Sequence, residues 1–170
     1  MEMIQNEIKV LKNISHPNII KLLDSFELKT AIVLVYEYCD GGNANDYILQ
    51  KGPLTESKCI DWVTQMVQAL NILDSMKVVH RDIKLENVFV QYDPKNCTVI
   101  LKLGDFGLCS VNPDRPEKAS IGSPAFIAPE CLSKGMYTVS SDIYALGVMM
   151  HEVFIGKLPF KLKRTDNILQ

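Results

Sequence analysis

His80-Arg81-Asp82-Ile83-Lys84-Leu85-Glu86-Asn87, followed by Asp105-Phe106-Gly107, is the stretch that decides how this sequence folds. Val88 to Val90 and Val99 to Leu103 read as short strands between the two runs, with Asp93-Pro94-Lys95-Asn96 as their turn. A strand pair returns the chain to its starting point, so Asp105 is brought back beside Asn87. Asp82, Lys84, Asn87 and Asp105 then form one polar inventory. Phosphoryl transfer calls for such a set: a carboxylate to receive or orient a hydroxyl, hard oxygen ligands for Mg²⁺, and a cation over the developing charge.

Upstream of this stretch, Thr55 is an N-cap for a long amphipathic helix, with Ile60, Val63, Val67, Leu70 and Leu73 as its expected buried stripe. Trp62 and Met66 are assigned to the core. Asp40-Gly41-Gly42-Asn43 is a flexible break. Before it, Ile19 to Phe26 and Ala31 to Tyr38 read as an antiparallel hairpin, preceded by a helix carrying Ile4, Ile8, Leu11 and Ile14. Downstream, Gly107 to about Pro129 reads as a long loop, the kind that is usually functional or disordered. Ser141 to Gly156 follows as a helix apolar almost all round, expected inside the protein. The fold class is α+β: residues 1–38 form a helix-and-hairpin part, 39–43 a hinge, and 44–170 a mostly helical part.

Composition excludes several other classes. The net charge of -2, without a basic block, argues against nucleic acid or an anionic membrane as a partner. Cys39, Cys59, Cys97, Cys109 and Cys131 are scattered and never spaced Cys-x-x-Cys, which speaks against a zinc site and a disulfide framework. Reduced thiols and no basic-then-apolar leader give a cytoplasmic protein as the expectation, with the nucleus as the other compartment.

Taken together, these motifs resemble the catalytic domain of eukaryotic-type serine/threonine protein kinases, whose known signature set they match in order along nearly the whole chain. Glu7 falls at the family's C-helix glutamate and Ala128-Pro129-Glu130 at the end of its activation segment. The resemblance implies Asp82 as catalytic base, Lys84 as the γ-phosphate contact, and Asn87 and Asp105 as Mg²⁺ ligands. ATP would meet backbone groups of Glu37 and Cys39, with Tyr36 as gatekeeper before them and Phe89 under the adenine. Leu11, Leu22, Phe106 and His80 match the family's hydrophobic spine, and Asp142 the aspartate that anchors the catalytic loop. Ser123, in Gly122-Ser123-Pro124-Ala125-Phe126, resembles the substrate-facing threonine and should bond toward Asp82 and Lys84. The Gly-Ser-Pro form hints at the calcium/calmodulin-kinase-like branches. Arg81 precedes the base as it does where the activation loop is phosphorylated. A phosphate on Ser120 would bring about −1.5 to −2 of charge for it to pair with.

The implied partners are ATP, Mg²⁺ and a protein substrate, with an activating kinase or regulatory subunit left open. No Gly-x-Gly-x-x-Gly loop or Val-Ala-Ile-Lys strand precedes Glu7, and the arginine expected to pair with Glu130 is not in the sequence. The expectation is therefore a kinase domain truncated at both ends, a fragment of a longer product, weak or inactive in isolation. A truncated pseudokinase acting as a binding or scaffold module is the alternative. Glu7, lacking a lysine, could equally be a solvated charge on a helix face.

Overall fold

Residues 2–111, 116 and 120–160 are described by the computed structural model. The N-terminal periodicity produces α1 (Glu2–Lys12), which buries Glu7, Val10 and Leu11. Two antiparallel strands follow, β1 (Leu22–Glu27) and β2 (Ile32–Tyr36), in a register that sets Phe26 opposite Val33. Ile20 donates its N–H to Leu103 O at 2.8 Å, and Leu103 donates to Asn18 O at 2.9 Å, so this part is stitched to the strands beyond the catalytic stretch.

Directly after the hinge stands α2 (Ala44–Lys51), an element the sequence reading left out. Its cap is reciprocal. Asn43 Oδ1 accepts from Asp46 N at 2.9 Å, while Asn43 Nδ2 donates to Asp46 Oδ2 at 2.8 Å. The break before it is less free than expected. Gly41 donates to Val90 O and Val90 to Gly42 O, both at 2.8 Å, and a Cβ on Gly41 would lie 2.7 Å from Val90.

Thr55 caps α3 (Glu56–Ser75) by accepting from Lys58 N at 3.4 Å. Its buried stripe differs from the expected one. Cys59, Trp62, Met66, Ala69, Leu70 and Leu73 are buried, whereas Ile60 is 61 % and Val67 44 % exposed. Leu70 and Leu73 are buried as expected, while the bulky Trp62 and Met66 turn the first half of the helix so that Ile60 and Val67 face outward and Val63 is half-buried.

Three strand pieces and a turn frame the catalytic stretch. β3 (Val78–Val79) precedes His80, and β4 (Val88–Asp93) pairs antiparallel with β5 (Thr98–Leu103), Val88 opposite Leu103. The expected long loop holds structure of its own: a tight helical turn at Phe106–Leu108, β6 (Ser110–Val111) paired with β3, and a second turn at Pro124–Phe126. Past α4 (Pro129–Lys134), α5 (Val139–Ile155) ends on Gly156 in the left-handed conformation, φ 76°. It packs on α3 and buries Ala145, Leu146, Met149 and Val153. Among the described residues nothing covers its other face, and Ile143 and Phe154 stay about half exposed, contrary to the expectation of a fully buried helix. The architecture is α+β around a main core running from Val10 to Val153, with a smaller second cluster of Val79, Ile127, Ala128, Cys131 and Tyr137. All five cysteines are free, and no helix among the described residues is long and apolar enough to cross a membrane.

Candidate active site

Asp142, at the start of α5, accepts the backbone N–H of His80 at 2.7 Å on Oδ2 and that of Arg81 at 2.9 Å on Oδ1. Burial pushes this carboxyl up, against His80 and the two N–H groups that favour its charged form. The His80 ring is fully buried, edge-on to Phe106 with centroids 4.8 Å apart, and its Nε2 lies 2.9 Å from Gly104 O. A carbonyl can only accept, so Nε2 carries the proton, and Nδ1 accepts from Asp82 N at 3.3 Å. The loop is thus held from below by a helix and from one side by a ring. Arg81 takes the left-handed backbone at φ 71°, a conformation costly for a residue with a Cβ.

Held this way, Asp82 becomes the centre of a converging set. Its Oδ1 accepts from Ser123 N at 2.9 Å and Ser123 Oγ at 2.8 Å. Its Oδ2 accepts from Lys84 Nζ at 2.8 Å and Asn87 Nδ2 at 2.9 Å. Lys84 Nζ also donates to Ser123 Oγ at 2.9 Å. Burial works to raise the Asp82 carboxyl, but hydrogen bonds from Lys84 and Ser123 and the Lys84 charge outweigh it and hold the group below the ordinary carboxylate value. Gly122 brings Ser123 this close. Its φ of +99° suits glycine, and a Cβ there would run into Arg81 O.

Gly104 donates to Asn87 O at 2.8 Å, so the end of β5 lies against the catalytic loop, and Asp105 follows in the left-handed conformation, φ 57°. Its Oδ1 accepts from Gly107 N at 3.4 Å. Asn87 and Asp105 line one cleft of about 750 Å³ with Glu7, Ile20, Tyr36, Glu37, Cys39 and Phe89. Asp82 lies one hydrogen bond from this lining through Asn87, and Lys84 one contact further through Asp82. A Cβ on Gly104 would meet the Phe89 ring at 2.7 Å, so glycine there lets the ring form a cleft wall.

The other singled-out residues fall as follows. Glu37 is engaged by its side chain, accepting from Lys21 N at 2.8 Å and pairing with Lys102 Nζ at 3.1 Å. Cys39 is buried, and its thiol is pushed up chiefly by that burial. Glu7 is 8 % exposed and accepts the Tyr36 hydroxyl at 2.6 Å, so it is not a solvated helix charge. Leu11, Leu22 and Phe106 are all buried in the core. Arg81 donates from Nε to Leu108 O at 2.6 Å and from Nη2 to Cys109 O at 3.4 Å, and lies 5.7 Å over the Tyr137 ring. Ser120 is exposed, and its neighbours 112–115 and 117–119 lie outside the described residues. Glu130 is only half-buried, so water can solvate it. Missed from sequence were the Tyr36 hydroxyl, Tyr137, which bonds Ile121 N at 2.6 Å, and the buried Lys102. Each is an ordinary residue on a strand or loop, without a motif around it.

Comparison of the sequence with known proteins gives the family. The family model described as "Protein kinase domain" matches residues 1–170, and the chain belongs to the protein kinase family. It is 36 % identical over 159 residues to rat serine/threonine-protein kinase DCLK1, covering 94 % of this chain and 36 % of that protein. Serine/threonine-protein kinase atg1 of Dictyostelium discoideum is 34 % identical over 172 residues, covering 99 % and 25 %. A calcium/calmodulin-dependent protein kinase type 1 from Macrobrachium nipponense is 33 % identical over 165 residues, covering 97 % and 47 %. The chain thus spans less than half the length of each of these relatives.

Proposed function

We propose that this chain carries the machinery that moves the γ-phosphoryl group of ATP to serine or threonine hydroxyls of protein substrates. The observation that carries the reading is the Asp82 carboxylate, held by Lys84, Ser123 and Asn87 one hydrogen bond from the cleft that Asn87 and Asp105 line. Asp82 is ionised at neutral pH and accepts a substrate hydroxyl proton. The oxygen–phosphorus bond to substrate forms as the bond to the β–γ bridging oxygen breaks, and ADP leaves. Lys84 sets its ammonium beside the transferring group, and Ser123 braces the direct Lys84–Asp82 contact by bonding both partners. Adenine lies against Phe89 and Ile20, with the Glu37 carbonyl and the Cys39 N–H at its edge.

The residues present fit Mg²⁺. Asn87 commits Nδ2 to Asp82 O and Oδ2, both at 2.9 Å, which leaves its Oδ1 as an acceptor, and Asp105 adds an exposed carboxylate to the same cleft. Among the described residues no group of three His, Cys, Asp or Glu side chains forms a metal site. Mg²⁺ suits such a place because it keeps waters and phosphate oxygens as most of its ligands. When bound it would neutralise phosphate charge.

The test is transfer of labelled phosphate from Mg·ATP to a mixed protein substrate by the complete gene product. Transfer to serine and threonine, lost in a folded Asp82→Asn protein, is the expected result. Nucleotide binding without transfer would instead favour a pseudokinase binding module, and transfer undiminished in Asp82→Asn would remove Asp82 from the chemistry.

A further inference from the structure

A carboxylate taken out of water must find hydrogen-bond partners. Glu7 has one in the Tyr36 hydroxyl, 2.6 Å from its Oε1, while its Oε2 faces Gly107, where an added Cβ would stand 3.8 Å away. Tyr36 is the last residue of β2, immediately before Glu37 and Cys39 in the cleft, and Glu7 lies mid-way along α1. Among the described residues this is the only side-chain hydrogen bond joining α1 to another element. The rest of the attachment of α1 is packing, with Leu11 in the core and the helix lying against the Phe106–Leu108 turn. Packing is tolerant of rotation and sliding, whereas one short bond to a charged group fixes both. Burial, then the bond to Glu7, then the charges of Glu7 and Asp105 all raise the phenol, so it stays protonated and a donor far above neutral pH.

We propose that, granted the phosphoryl-transfer reading of the site, Tyr36 is a positioning residue. Its hydroxyl latches Glu7 and so holds α1 in register against the Asp105-Phe106-Gly107 turn. The latch joins the strand that enters the cleft to α1, which in turn packs on the turn beside Asp105. It acts on α1 before any nucleotide arrives, because both of its atoms belong to this chain.

Tyr36→Phe in the complete gene product keeps the ring and removes only the donor. Amide exchange without nucleotide should quicken about tenfold over residues 2–12 and 105–108, the scale set by losing a bond to a charged group, and stay unchanged at Leu70 and Leu73 in α3. kcat should fall about tenfold with the KM for protein substrate unchanged. Glu7→Gln retains an acceptor and should exchange close to the native rate, whereas Glu7→Ala should match Tyr36→Phe. Exchange over α1 that is unaltered in Tyr36→Phe, or quickened equally throughout α3, would overturn the latch. If Tyr36→Phe does not fold, equal exchange in Glu7→Gln and Glu7→Ala decides against it in the same way. Exchange is read without ATP, so native protein that transfers no phosphate would refute the kinase reading and leave this result standing.

Discussion

Asp82 accepts four hydrogen bonds between 2.8 and 2.9 Å, and each donor changes what the carboxylate can do. Against burial, the hydrogen bond from Lys84 most favours ionisation, followed by the Ser123 hydroxyl and then the Lys84 charge. The folded-state value lies below the ordinary one, so the stabilisation from these bonds is present above the unfolded value and lost as pH falls through the folded one. Lys84→Met removes the main opposing cause while burial still acts upward. Carboxyl NMR should then show Asp82 titrating at a higher pH than in the native protein; an unchanged titration would show that Lys84 does not set it. Ser123→Ala makes a different cut. It takes one donor from Asp82 and one acceptor from Lys84, but leaves the Ser123 backbone N–H in place. Steady-state kinetics should show kcat about tenfold lower, as for one neutral hydrogen bond to a charged group, with nucleotide affinity within a factor of about two.

At the scale of elements, α5 positions the site by lending Asp142 to the His80–Asn87 loop, although Asp142 lies 62 residues downstream of His80. Asp142→Ala would leave the His80 and Arg81 N–H groups buried without an acceptor, at about 1–3 kcal/mol each. Urea unfolding should therefore show a loss of about 2–6 kcal/mol, against a smaller loss in Asp142→Asn, which keeps an acceptor. Motif and spacing made this much of the molecule readable from sequence: the His80–Asn87 loop, the turn after Asp105, the strand pair between them and the capped start of α3. The rotation of α3 was not readable, because the packing of Trp62 and Met66 against distant residues decides it. Nor was α2, whose Asn43–Asp46 cap carried a signal that the neighbouring glycines obscured. Left-handed backbone at Arg81 and Asp105 has no sequence signature at all; tertiary contacts impose it on residues chosen for chemistry.

Across the whole molecule, the cleft lies where α1, the hairpin, the hinge and the β4–β5 pair meet, so its shape depends on how these pieces are tied together. Lys102 on β5 is one tie. Its Nζ donates to Pro17 O at 3.1 Å and pairs with Glu37 Oε1 at 3.1 Å, linking the segment after α1, the residue after β2 and β5. The side chain of Lys102 is 9 % exposed and that of Glu37 21 %, so the pair is only partly desolvated. Two effects compete when Lys102 becomes Met. A methionine of similar length removes the cost of burying an ammonium, which in a fully buried pair can offset the lost bonds. Here Glu37 retains the Lys21 N–H and some water, but Pro17 O loses its side-chain donor and the three segments lose their common cation. The second effect should win by about 1–2 kcal/mol, the net scale of one or two hydrogen bonds to a charged group. Lys102→Met should lower the urea midpoint accordingly, and Glu37→Gln in the same background should recover part of that loss by discharging the stranded carboxylate. A midpoint unmoved by Lys102→Met would mean that packing alone holds hinge and sheet together.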